Sequence, residues 1–469
     1  MTAETTPGGL PIDTTPAHMH APPVVGALPS LVAPTAIQFR LSNGIEVVAV
    51  RRQVAPMVAL NLVLRTGADH DPAERAGLAS LTAEMLDEGA GDRSALEIAE
   101  ELERLGADLY LGVGRDGSQL TLQVPTEEFG SALRIATDVV LRPRLEIPDW
   151  ERVLHDRVTS LAQRRDQPES VADLVAARTL FGAAHPYGRP VDGFERTAAA
   201  ISLDDVKSFH DRFWRPNNAV VALAGDFDPA SLRDDLERAF GAWTPAPIPA
   251  APPTPPFPAL PRLVLVDRPG APQSVVRVVG PGSSRHAADR PGLSMLNIVL
   301  GGSFTSRLNF TLREKRGYTY GAGSSFSTYR RPSAFAARSS VFTQVTAPAV
   351  TDFLTEIGRM RTDEIAPEEI TKARASLLGR TAEALSTSSG TAATFAEIGL
   401  YELPIDEPGR FIEAVASTNE KTIKDLAMQY LDPDKLGIVI VGDRAVIEPG
   451  LRAIGLPQPL LRDPDGDPV

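Results

Sequence analysis

Residues 261–303, PRLVLVDRPGAPQSVVRVVGPGSSRHAADRPGLSMLNIVLGGS, repeat the pattern of residues 44–90, GIEVVAVRRQVAPMVALNLVLRTGADHDPAERAGLASLTAEMLDEGA. Ala271-Pro272 falls on Ala55-Pro56 and Gly292-Leu293 on Gly77-Leu78. Further on, Pro433 and Gly442-Asp443 fall on Pro216 and Gly225-Asp226. The offset stays at 215–217 residues, a drift small enough for a duplication. Strands and helices are mixed in each copy. The expected fold is therefore α+β, with two homologous domains packed as pseudo-equivalent halves, each a mostly antiparallel sheet flanked by helices.

Local signals divide the chain further. Residues 1–33 are rich in Pro, Thr and Ala and read as a disordered tail, in which His18 and His20 are solvated. Residues 34–243 form the first domain and 244–261, TPAPIPAAPPTPPFPALP, a proline-dense linker. The second domain takes 262–455, and 456–469 read as a C-terminal tail. Within the first domain, 37–50 predict a hairpin turning at Asn43-Gly44. A helix over 75–89 buries Leu78, Leu81 and Met85, and Ser94 with Glu97 makes a capping box for the next one.

Composition excludes several function classes. The chain has 469 residues and no cysteine, so disulfides, thiolate metal sites and cysteine nucleophiles are out. Forty-seven basic residues against 60 acidic ones give a net charge of −13, which argues against nucleic acid or an anionic membrane as partner. No stretch is apolar for the length of a membrane span, and the N-terminus lacks a basic and an apolar region of signal-peptide type. The reading is a soluble, cytoplasmic protein, or a periplasmic one if a signal peptide has been removed.

Residues 301–326, GGSFTSRLNFTLREKRGYTYGAGSSF, predict a short helix with Phe304, Leu308 and Leu312 on its buried stripe. Lys315 and Arg316 close it, Gly317 ends it, and Tyr318, Tyr320 and Phe326 follow as a strand. Taken alone, this is an amphipathic helix with a solvated cationic end. An arginine and a tyrosine can also both donate hydrogen bonds to a peptide carbonyl. The run LREKRGYTY, with GGSFTSRL before it, resembles the C-terminal-domain signature of the pitrilysin-like zinc peptidases, the family of insulinase and the mitochondrial processing peptidase. In that family an Arg and the Tyr seven positions later bind substrate near the scissile bond; they match Arg313 and Tyr320. The resemblance covers essentially 35–450. It implies two LuxS/MPP-like metallohydrolase-type domains, as half-shells around a peptide-sized cavity.

The same resemblance implies an inverted zinc motif, H-x-x-E-H, on the 75–89 helix, and a further Glu ligand from a later helix. Ser80, Ala83 and Glu84 stand at the motif positions, and Arg157, or a residue beside it, where the last ligand belongs. Neither imidazole is present and a methyl group replaces the general base, so no metal is expected in this chain. His155 reads as a structural residue and His70, in DHD, as part of a solvated turn. The family includes bacterial heterodimers in which one chain bears zinc and the other only the Arg/Tyr pair. The expected function is thus that of a metal-free subunit, with zinc in a homologous partner and a peptide as substrate. A structural subunit like the respiratory-complex core proteins, or an escort for a precursor peptide such as that of pyrroloquinoline quinone, is the alternative.

Overall fold

The computed structural model describes residues 31–469. The tail expected over 1–33, with His18 and His20, lies almost wholly outside the described residues.

Among the described residues, fourteen strands build two six-stranded sheets and one short ribbon. In the first domain β1 (Ile37–Arg40), β2 (Glu46–Arg51), β3 (Met57–Leu64), β6 (Asp108–Val113), β7 (Ser118–Pro125) and β8 (Ala219–Gly225) take the order β1-β2-β8-β3-β7-β6, while β4 (Gly89–Ala90) and β5 (Arg93–Ser94) form the ribbon. Only β2 and β8 run parallel; the other neighbours are antiparallel. The second domain repeats the plan with β9 (Leu263–Asp267), β10 (Gln273–Pro281), β11 (Ala322–Phe326), β12 (Ala334–Phe342), β13 (Gly437–Gly442) and β14 (Leu460–Arg462), in the order β11-β12-β10-β13-β9-β14. The copies differ at their outer edge. The first sheet is extended by β1 through the Asn43-Gly44 hairpin. The second is extended by β14, parallel to β9. Residues 456–469 are therefore no tail: besides the strand, Asp465 binds Arg165 and Asp467 binds Arg178, both at 2.5 Å. Nothing in the earlier copy corresponds to this strand, so the repeat could not announce it.

Each sheet is covered on both faces, which explains why β3, β8, β10 and β13 are apolar almost throughout. One face carries the domain's own helices. The other is covered by a helix from the opposite domain. Helix Pro168–Phe181 packs Val171, Leu174 and Val175 on Val264, Val275 and Val439 of the second sheet. Helix Ser388–Leu400 packs Ala392, Phe395 and Ile398 on Val48, Val63 and Val220 of the first. The approach is close enough that a Cβ on Gly399 would come within 2.5 Å of Val220, so only glycine fits there. Polar contacts reinforce the seam. Buried Asp116 accepts from the Tyr187 hydroxyl and, at 2.7 Å, from the Arg330 amide of the other domain. The 244–261 segment between the domains holds no helix or strand.

Candidate functional site

The helix expected over 75–89 begins at Leu78 and ends at Met85. It starts late because Gly77 adopts φ +103, a left-handed conformation in which a Cβ would also meet the Asp192 carbonyl at 2.7 Å. The buried Asp71 carboxylate caps this start, accepting from Gly77 N at 2.8 Å and Ala79 N at 2.9 Å. Burial pushes its pKa up to about 7 against those two donors and Arg189. Sequence spacing gave no sign of this cap. It lies six residues upstream of the amide it holds, outside any local capping pattern.

Ser80 and Glu84 lie one turn apart on the exposed side of this helix, and Ala83 is buried. Helix Ile147–Arg164 brings Arg157 against them. Arg157 donates to Ser80 Oγ at 2.9 Å, to the Glu84 carboxylate, and to the Asp192 carbonyl at 3.2 Å. The arginine is only 7% exposed. Three of the positions where the family resemblance implies metal chemistry are thus tied together around a guanidinium. This donor set does not fit zinc: a hydroxyl, a single carboxylate already paired, and a cation. Next to it lies a cleft of about 440 Å³, lined by Asp87, Glu88, Asp156, Arg152 and the Leu109–Leu111 stretch of β6. Burial, with the nearby Glu88 and Glu84 carboxylates adding to it, raises Asp87 to about 6. Among the described residues no group of three or more His, Asp or Glu side chains is arranged to hold a metal ion.

The histidines divide. His155, read as a structural residue, is exposed on its helix. His70, expected in a solvated turn, is instead enclosed: Nδ1 lies 2.7 Å from Asp69 Oδ1, and the ring packs edge-on to Phe213. Within the same domain the Ala68 and Asp69 amides donate to the Gly114 and Arg115 carbonyls at 3.1 and 2.9 Å, and Arg330 and Arg331 of the other domain approach buried Asp69 at 3.8 and 3.5 Å.

In the second domain the 301–326 stretch departs from a regular helix. The α-helical turn covers only Arg307–Asn309, and Phe310–Lys315 widens to a π-helix. Leu308 and Leu312 are fully buried as expected, but Phe304 is 67% exposed. The helix begins only after Ser306, so Phe304 stands outside the periodic stripe. Its ring serves another purpose: the Arg313 guanidinium lies 4.4 Å above it. Arg316 is held differently, in a fork on Asp352 at 2.9 and 3.1 Å. Gly317 ends the segment with φ +65. The strand begins at Ala322 rather than at Tyr318, which leaves Tyr320 89% exposed just before a free sheet edge. Among the described residues, neither the Arg313 guanidinium nor the Tyr320 hydroxyl has a hydrogen-bond partner, and Arg313 has one loose ion-pair contact, to Glu314 at 3.6 Å. The structure thus leaves Arg313 half-buried on Phe304 and Tyr320 exposed, without joining them to each other.

Comparison with known proteins sets this geometry in context. Residues 46–186 match the family model described as insulinase (peptidase family M16), and 200–377 the one described as peptidase M16 inactive domain. An uncharacterized zinc protease of Mycobacterium leprae is 28% identical over 330 residues, covering 67% of this chain and 74% of that protein. One from Mycobacterium tuberculosis is 26% identical over 411 residues, 86% of this chain and 92% of that protein. Among solved structures, a peptidase M16 inactive domain from Pseudomonas fluorescens superposes with a TM-score of 0.82 at 24% identity, over 87% of this chain and 98% of that one. A chain of complex III2 from Candida albicans gives 0.74 at 15% identity, over 89% and 99%. The last two likenesses concern the fold.

Proposed function

Since the chain belongs to the insulinase (M16) peptidase family, we propose that it is the metal-free subunit of a two-chain peptidase, binding the peptide and supplying Arg313 and Tyr320 to a zinc-bearing homologue. One observation carries the reading: Arg157 is sealed onto Glu84 and Ser80, whereas half-buried Arg313 has no hydrogen-bond acceptor among the described residues and Tyr320 stands open to solvent. A guanidinium and a phenol at a scissile carbonyl would orient it and stabilise the charge that gathers on its oxygen. Phe304 would hold Arg313 ready for that role. The cut itself falls to the partner, because no residue of this chain's degenerate motif can serve as ligand set and base together. The peptide has free sheet edges to approach: β6 beside the acidic cleft, and β11 directly after Tyr320.

The test is to co-express this chain with a zinc-bearing homologue from the same genome and follow co-elution and peptide cleavage. A co-eluting pair that cleaves peptides, while neither chain does so alone, is the expected result. Co-elution with no gain in cleavage would favour the alternative, a structural or peptide-escort subunit without a role in proteolysis. Tightly held zinc in the isolated chain would overturn both.

A further inference from the structure

A second candidate site, lined by none of these residues, is a crevice of the second domain between helices Arg290–Leu300, Pro367–Ser386, Ser388–Leu400 and Glu407–Ser417. Its volume is about 290 Å³, room for roughly ten non-hydrogen atoms at about 30 Å³ each. Leu377, Leu385, Ile398, Pro408 and Phe411 give it an apolar floor. Three arginines, Arg285, Arg290 and Arg380, share its wall with two glutamates, Glu397 and Glu407, leaving one positive charge in excess.

Two of the arginines are enclosed, while Arg380 is exposed. The side chain of Arg285 is 11% exposed and that of Arg290 12%. Each is paired once, Arg285 with Glu397 at 2.9 Å and Arg290 with Glu407. The Arg285 Nε–H is buried with no acceptor, a costly arrangement for a charged donor. Arg290 lies 4.8 Å above the Phe411 ring, and its pKa is lowered by burial and then by Arg285 alongside. Two guanidinium groups crowded in this way are stabilised by one more anion. A doubly charged phosphate would exceed the single charge available and meet both glutamates. A monoanion with an apolar body satisfies the wall and the floor together.

We propose that this crevice binds a small organic carboxylate with an apolar body, either a free acid or the C-terminal residue of a peptide. The carboxylate meets Arg285 and Arg290 and the body covers the floor, where Ile398 belongs to the helix that the second domain packs on the first sheet.

Calorimetric titration of the intact chain with 3-phenylpropionate tests this. Saturable binding is expected, with acetate and 3-phenylpropanol, which lack the body and the charge respectively, failing to match it. Arg285→Gln should weaken binding by about tenfold or more, the worth of a charged hydrogen bond. Ala384→Trp keeps every charge and fills the crevice from an exposed helix position; it should abolish binding without shifting the thermal midpoint. N-acetyl-Gly-Gly-Phe binding more tightly than 3-phenylpropionate assigns the site to a peptide terminus, and the reverse assigns it to a free acid. No binding of either acid, equal binding of the alcohol, or undiminished binding in Ala384→Trp overturns the proposal.

Discussion

The surroundings of Arg157 and of Arg313 repay comparison, because each arginine stands where the family resemblance places a functional position, and their fates are opposite. Arg157 is enclosed, donating to a hydroxyl, a carboxylate and a carbonyl within its own domain. Arg313 rests on one aromatic face with its donors open. The first arginine is part of the packing of its own domain; the second, about a third exposed, has no hydrogen-bond acceptor among the described residues. On the proposed function, the first position has become structure and the second keeps donors for a ligand.

That contrast can be broken at several points. The largest effect is expected from Arg313→Ala in the assembled pair: peptide turnover should fall by about 10²–10³-fold, the usual result of removing a donor to a developing oxyanion, with co-elution intact. Unchanged turnover would reduce Arg313 to a surface residue. Arg157→Ala should act on the other axis. It strands a half-exposed Glu84 and empties a buried position, so chemical denaturation should show a loss of about 1–3 kcal/mol, with no effect on turnover beyond that of lost folded protein. A rebuilt motif sharpens the comparison further. In a chain carrying Ser80→His, Ala83→Glu and Glu84→His, zinc affinity measured by competition with a chelator should be at least about tenfold weaker with Arg157 kept than with Arg157→Glu added, since a cation beside the ion opposes it. Tyr320→Phe should lower turnover by up to about tenfold, one neutral donor's worth, and leave stability alone because the side chain is almost fully exposed. The smallest change belongs to Phe304→Ala, about two- to fivefold in turnover, through loss of the face that holds Arg313.

What the sequence disclosed, and what it withheld, follows one physical division. The Asn43-Gly44 hairpin, the Ser94–Glu97 capping box and the turn at Gly317 are local chemistry, and each stands where its residues put it. The duplication was legible for a related reason: the same strands need the same apolar runs. Long-range facts were not legible. Nothing in the DHD segment announces that arginines of the other domain will approach Asp69, and nothing in 456–469 announces a strand. At the site, spacing along a helix assigned Ser80, Ala83 and Glu84, and composition alone argued that they could not bind zinc. That Arg157 reaches all the way to Ser80 and Glu84 depends on how two helices cross. Phe304 shows the reverse failure, where a periodic pattern was extended one turn beyond the point at which the helix begins.

The reciprocal crossing of helices Pro168–Phe181 and Ser388–Leu400 has a consequence for how the polypeptide is made. As the chain leaves the ribosome, the Val48, Val63 and Val220 face of the first sheet has no cover until the 388–400 segment of the second domain has been synthesised. The first domain can collapse on its own helices early, but from the completion of its sheet at Gly225 until residue 388 it must wait with a bare apolar surface, a stage at which nascent chains associate wrongly or recruit chaperones. Severing the gene at the proline-dense segment would leave both fragments in that condition, each soluble only when the other is translated beside it.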